Sequence, residues 1–173
     1  MATNIEIKAR VQDPDGLMAK VAAISDTAGE LIPQEDIFFN SPQGRLKLRI
    51  LAEDQGQLIY YERPDSTGPK QSEYFIYRTG EPGTLTDVLT RTYGVRGVVR
   101  KKRWLYWIGI TRIHLDQVEG LGSFLEFEVV LSNGQSIQEG QAIAAELMER
   151  LDIADSDLVD AAYIDLLERE ITG

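Results

Sequence analysis

Five stretches of this chain place ionisable side chains at every second position, four of them with apolar residues between, and nothing else in the sequence constrains the fold as tightly. Successive side chains of a β-strand point to opposite faces. Glu6 and Lys8 therefore share one face, opposite Ile5 and Ile7. Arg45, Lys47 and Arg49 lie opposite Leu46, Leu48 and Ile50, and Lys101 shares a face with Arg103. Arg112, His114 and Asp116 oppose Ile113 and Leu115, while Glu126 and Glu128 oppose Leu125, Phe127 and Val129. Each stretch reads as a strand with one charged face, and in all but the stretch at 101–103 the other face is apolar. The charges are also sorted by sign, with bases on the strand at 45–49 and acids on the strand at 126–128.

Alternation and β-branched or aromatic content predict strands over 5–11, 45–51, 58–62, 72–77, 98–103, 104–108, 110–118 and 125–131. Gly109 and the run Gly120-Leu121-Gly122 mark breaks between the late strands. Four helices are expected. Asp13-Pro14 supplies a capping acid and a first-turn proline ahead of Leu17, Val21 and Ile24, with Gly29 beyond the end. A second helix starts at Thr84, carries Leu85, Val88 and Leu89, and stops at Gly94. Ser136 and Glu139 have capping-box spacing ahead of Ile143, Leu147 and Leu151. A last helix is predicted from about 156 to 168, through Leu158, Ala161, Ala162 and Leu167. With no repeat, low-complexity tract or linker, the chain reads as a single α+β domain over 1–173 with a largely antiparallel sheet.

Two arrangements fit that pattern. One is an open sheet with a solvated charged face and an aliphatic face packed on helices. The other is a sheet closed on itself, its amphipathic helices outside and its charges within. Segregation by sign favours closure, because solvated faces usually mix their polar residues. Closure then demands a ligand: two like charges ~4 Å apart at an effective dielectric of ~20 repel by ~4 kcal/mol. Clustered carboxylates tolerate this around a cation and clustered arginines around an anion. Carboxylate oxygens suit Mg²⁺ or Mn²⁺, and those ions bind polyphosphate oxygens. Acids on one arc and bases on another are complementary to a metal-bound polyphosphate.

Four motifs in order resemble the CYTH superfamily, the group of class IV adenylyl cyclases and thiamine triphosphatases also called triphosphate tunnel metalloenzymes. Asn4-Ile5-Glu6-Ile7-Lys8 is similar to the family's opening Glu-x-Glu-x-Lys, with Asn4 in place of the first acid. Gly44-Arg45-Leu46-Lys47-Leu48-Arg49 resembles its basic strand, and Lys101-Lys102-Arg103-Trp104-Leu105-Tyr106 its Lys-x-Arg-x-Leu-Tyr element. The stretch from Leu115 to Glu128, Leu-Asp-Gln-Val-Glu-Gly-Leu-Gly-Ser-Phe-Leu-Glu-Phe-Glu, resembles its late acidic signature. Tyr61-Glu62-Arg63-Pro64-Asp65 and the following Gly68-Pro69-Lys70-Gln71-Ser72 look like the class IV adenylyl cyclase-like subgroup. The resemblance implies a closed eight-stranded antiparallel barrel, a triphosphate tunnel, with helices outside. It implies Mg²⁺ or Mn²⁺ on Glu6, Asp116, Glu126 and Glu128. It implies phosphate binding by Lys8, Lys47, Arg49, Lys101 and Arg103, joined by Arg45, Arg63 and Arg112, with Lys8 and Arg103 as catalytic residues. Asn4 offers only a neutral carbonyl oxygen to a second metal.

Other classes fall away. No Gly-x-x-x-x-Gly-Lys-Ser/Thr occurs, so there is no P-loop, and the absence of cysteine excludes disulfides and thiolate chemistry. A net charge of −10 argues against a nucleic-acid surface, although the segment from Arg91 to Arg112 carries seven bases and no acid. No long apolar run and no signal-peptide pattern occur, and a cytoplasmic protein that binds no membrane is expected. His114, the only histidine, suits a polar wall position better than a general base, since no carboxylate partner is identifiable from the sequence. Trp104, Tyr106 and Trp107 are expected to pack against helices. The expected substrate is a small-molecule triphosphate, and a homodimer is possible. Hydrolysis of tripolyphosphate or an organic triphosphate is the leading expectation, because no nucleobase pocket is legible. Cyclisation of ATP to cyclic AMP, a non-catalytic polyphosphate-binding module and a protein-interaction domain are the alternatives.

Overall fold

The computed structural model describes residues 2–172. Eight strands form a closed barrel: β1 (Ala2–Arg10), β2 (Glu30–Phe39), β3 (Arg45–Ala52), β4 (Gln55–Glu62), β5 (Lys70–Thr79), β6 (Val95–Ile108), β7 (Thr111–Val118) and β8 (Gly122–Val130). Their order around the wall is β1-β5-β4-β3-β2-β6-β7-β8, every pair is antiparallel, and β8 returns to β1 to close the ring. Closure leaves the wall no open edge. Four helices lie outside it or across its end: α1 (Pro14–Ile24), α2 (Pro82–Tyr93), α3 (Ile137–Arg150) and α4 (Tyr163–Thr172).

Period-two alternation sends the aliphatic residues outward, where helices cover them. Ile5, Ile7, Ile113, Leu115, Leu125, Phe127 and Val129 pack with Leu17 and Val21 of α1 and Ala144, Leu147 and Met148 of α3. Leu89 of α2 packs with Ile37, Phe39 and Leu48. The helix signals act as their chemistry requires. Asp13 accepts from the Gly16 amide at 3.1 Å, and Ser136 and Glu139 cap one another reciprocally. A third cluster joins the inward-facing Phe38 and Val99 to Phe124, Val118, Ala162, Tyr163 and Ile164. The start of α4 thereby stoppers one end of the barrel.

Three sequence expectations need correction. The strands predicted over 98–103 and 104–108 are one continuous β6: no turn residue separates Arg103 from Trp104, and β2 and β7 pair across the junction. Strand β2 was not expected, because Pro33 and three acids break its alternation. Pro33 is tolerated there since β3 pairs only with 35–39; at Pro33 the strand has β6 on one side, and its missing N–H costs no ladder bond to β3. Lastly, α4 begins at Tyr163 rather than near 156. The intervening chain makes a single 3-10 turn at Asp155–Asp157 and then passes beside β1, where Leu158 bridges Ala9 and the Val159 amide donates to the Lys8 carbonyl at 2.9 Å.

Candidate active site

Register decides which charges meet. Across the closing pair Glu6 lies opposite Glu128 and Lys8 opposite Glu126. Continuing round the wall, Glu126 faces His114 and Glu128 faces Arg112. Arg103 faces Asp116, and on the far arc Asp36 faces Arg49. The result is a cavity inside the barrel in which lysines and arginines outnumber aspartates and glutamates eight to four, although the chain as a whole carries −10. A positive interior in a negative protein is an anion site.

The acids are not evenly spread. Glu126, Glu128 and His114 form a cluster that can hold a metal ion, with candidate ligand atoms all within 4.8 Å of one another. His114 Nδ1 stands 3.9 Å from both Glu126 Oε2 and Glu128 Oε1. Glu6 borders this cluster and is contacted by Arg63 Nη1 at 3.3 Å. Burial, then the charge of Glu128, pushes the Glu6 carboxyl up to about 7. Burial also opposes ionisation of Glu126 and Glu128, yet both are held low. Lys8, His114 and Arg103 act on Glu126; His114 and Arg112 bring Glu128 down to about 2. The histidine itself is lowered, by burial and then by Arg103, against the pull of Glu128 and Glu126.

The basic arc is held in place by two buried aspartates. Asp36 accepts from Arg49 Nε and Nη2, each at 2.8 Å, and from Lys47 Nζ at 3.0 Å. Burial would raise the Asp36 carboxyl, but Arg49 and Lys47 hold it well below the usual carboxylate range. Asp116 does the same for Arg103 with two 2.7 Å bonds, and it also accepts from the Tyr163 hydroxyl at 2.9 Å. Lys8 donates to the Ala161 carbonyl at 3.1 Å, lies 3.4 Å from Glu126 and sits over the Tyr163 ring. Burial brings both Lys8 and Lys47 down to about 8, against the pull of Glu126 and Asp36 respectively. Arg63 keeps two buried donors unsatisfied. Its side chain is 7% exposed, and neither Nε nor Nη2 has a hydrogen-bond partner among the described residues. Arg63 is among the residues lining the cavity, and a guanidinium with unpartnered donors there is suited to an anion.

Most residues singled out in the sequence therefore meet in one chamber: Glu6, Lys8, Lys47, Arg49, Arg63, Lys101, Arg103, Arg112, Glu126 and Glu128 all line it. Two do not stand where expected. Asp116 is on the inner face but does not line the cavity, its oxygens being taken up by Arg103, Lys101 and Tyr163, and the metal-competent cluster holds His114 in its stead. Arg45 has the inward parity of its strand but turns at the stoppered end to Asp165 at 3.0 Å and Asp65 at 2.9 Å. Asn4 is buried in the wall and its Oδ1 accepts from Tyr74 at 3.3 Å. Trp104 and Tyr106 pack outward as expected, whereas Trp107 has the parity of Arg103 and stacks beneath the Arg112 guanidinium. Asp36 was missed because its strand was missed, its only signal being the apolar run Ile37-Phe38-Phe39 that follows it. Tyr163 was missed because its role depends on where α4 docks.

The comparisons with known proteins assign this closed barrel to a family. The CYTH domain model matches residues 2–163, and the chain belongs to the CYTH family. Among curated proteins it is similar to the adenylate cyclase CyaB of Aeromonas hydrophila, 24% identical over 97% of this chain and 90% of that protein. Among solved structures it resembles the PH1012 protein of Pyrococcus horikoshii OT3, with a TM-score of 0.84, 26% identity and coverage of 94% of this chain and 98% of that one. The Hippeastrum protein HpAC1, described as having a dominant triphosphatase activity, superposes with a TM-score of 0.70 over 98% of this chain and 96% of its own. At 14% identity that likeness shows the fold alone.

Proposed function

We propose that this chain is a metal-dependent triphosphatase that holds its substrate inside the barrel and hydrolyses inorganic tripolyphosphate or an organic triphosphate. The observation that carries the reading is the opposition of two arcs. Glu126, Glu128 and His114 form one, with Glu6 beside them; Lys47, Arg49, Lys101 and Arg103 form the other. The donor set fits Mg²⁺ or Mn²⁺: carboxylates kept ionised, and an imidazole nitrogen that is buried without a partner. Such an ion, when bound, neutralises phosphate oxygens and the charge that develops as the phosphoryl group is transferred.

The chain's own residues do the positioning. Asp36 is the resting counter-ion of Arg49 and Lys47, and Asp116 that of Arg103, and an incoming anion shares those cations with them. Arg63 offers two unpartnered donors to the same anion. Lys8 and Arg103, beside Glu126, take the catalytic contacts with the phosphoryl group that is transferred. Water attacking the terminal phosphorus breaks its bond to the bridging oxygen and releases orthophosphate and the shortened chain. The stoppered end gives the triphosphate one direction of entry.

A second reading is supported by the relative named adenylate cyclase. In that case the ribose 3′-hydroxyl of ATP attacks the α-phosphorus, and cyclic AMP and pyrophosphate leave. A polyphosphate-binding module is the third, favoured only by Asn4, whose oxygen is already engaged by Tyr74. One assay separates them. Purified protein is given tripolyphosphate, ATP or thiamine triphosphate with Mg²⁺ or Mn²⁺, and orthophosphate, pyrophosphate and cyclic AMP are all quantified. Orthophosphate release lost in Glu126→Ala supports the triphosphatase. Cyclic AMP with matching pyrophosphate replaces it with the cyclase, and binding without turnover replaces both with the module.

A further inference from the structure

We infer that His114 is itself a metal ligand, and that its nitrogen turns an oxygen site suited to Mg²⁺ into one that prefers a first-row transition ion such as Mn²⁺. The inference rests on the metal-dependent reading above and adds to it the identity of one ligand and the preference that follows.

The geometry singles out one atom. His114 is 4% exposed, and its Nδ1 makes no hydrogen bond among the described residues. A buried ring nitrogen without a partner calls for an explanation. Yet Nδ1 is not remote from polar atoms, for it points between two carboxylates and stands 3.9 Å from an oxygen of each. That is too long for a hydrogen bond. It lies between the ~3.0 Å of adjacent and the ~4.2 Å of opposite ligands held ~2.1 Å from a common ion, so a small side-chain adjustment lets these donors share one. The spacing follows from the register, because Glu126 is paired directly across from His114 and Glu128 is two residues along on the same face. Metal preference follows from the donor type. Mg²⁺ takes oxygen ligands and sheds water reluctantly, whereas an imidazole is an ordinary ligand for transition ions.

The test uses the fact that the chain has a single histidine. Untagged protein is loaded with Mn²⁺, without nucleotide, and studied by electron spin-echo envelope modulation. The expected result is a ¹⁴N coupling of imidazole type, converted to a ¹⁵N coupling when only histidine is ¹⁵N-labelled; this requires no variant to fold. In His114→Gln the nitrogen coupling disappears. Its Mn²⁺ affinity falls by about tenfold or more, on the scale of the losses that accompany disturbed metal shells, while Mg²⁺ affinity measured by competition changes much less. Bound Mn²⁺ with no nitrogen coupling overturns the role of His114 and leaves the triphosphate reading intact. Absence of any bound Mn²⁺ overturns both. Equal losses of Mn²⁺ and Mg²⁺ affinity in His114→Gln overturn the preference.

Discussion

Replacing Asp36 by asparagine tests whether the basic arc is built for an anion or merely tolerated. Asp36 is 1% exposed and carries three charge-assisted bonds, two from Arg49 and one from Lys47. Removing one partner of a buried ion pair typically costs ~3–5 kcal/mol, because the remaining charge is left buried and unpaired. Lys47 and Arg49 keep 14% and 13% side-chain exposure toward the cavity, so some water reaches them and the lower end, ~3 kcal/mol, applies here. For a domain of this size that is a fall in Tm of ~6–12 °C. The informative measurement is the response to ligand. In the native protein an incoming tripolyphosphate shares Lys47 and Arg49 with Asp36, whereas in Asp36→Asn it has no competitor. Tenfold tighter binding is worth ~1.4 kcal/mol, so a saturating series of tripolyphosphate without added metal is expected to raise the variant's Tm by ~3–6 °C more than the native protein's. Thermal melts followed by circular dichroism report both quantities. An equal or smaller ligand-induced rise in the variant would refute the reasoning. Asp36 would then be an ordinary structural counter-ion, and the arc would not be waiting for an anion.

Arg63→Met removes the cation with two open buried donors. Tripolyphosphate affinity is expected to drop about tenfold, as for loss of one charge-assisted contact, and Tm to fall, since the buried Glu6 loses its 3.3 Å partner. Unchanged affinity in a titration calorimeter would remove Arg63 from the site. Lys47 gives a pH dependence whose sign can be worked out. Burial brings its ammonium down to about 8, so the folded protein gives up that proton before the unfolded chain does. Between ~8 and ~10.4 the unfolded state binds more protons and stability gains from rising pH. Anion binding runs the other way: above pH 8 tripolyphosphate is expected to bind more weakly and with uptake of protons. Calorimetry in two buffers of different ionisation heat measures that uptake, which should shrink in Lys47→Met. At the surface, Ser136→Ala removes the capping box of α3 and is expected to cost ~1 kcal/mol, or ~2–4 °C in Tm, with phosphate release untouched. A loss of turnover in that variant would show that α3 is coupled to the site.

Much of this molecule was legible before any fold was known. Period-two charges predicted which side chains share the inner wall, and for Lys47, Arg49, Lys101, Arg103, Glu126 and Glu128 that prediction needed nothing but the alternation of a strand. The helix starts at Asp13 and Ser136 were equally legible, since a cap is a contact over three residues. These are local consequences of backbone geometry. What sequence could not supply is everything that depends on which strand lies beside which. Asp36 sits in a strand whose alternation Pro33 and neighbouring acids obscure, and its value comes from Arg49 directly across the ladder. Asp116 shares the face of His114, yet the pairing of β7 with β6 brings it to Arg103 and away from the metal-competent cluster, while the pairing with β8 sets His114 between two glutamates. The same alternation that marked all these residues as inward was silent about their partners. The sequence by itself determined faces, because a side chain's direction is settled within its own strand. Tertiary structure alone decided neighbours, because barrel closure and register bring residues more than a hundred positions apart within reach of one another, as it does Lys8 and Glu126.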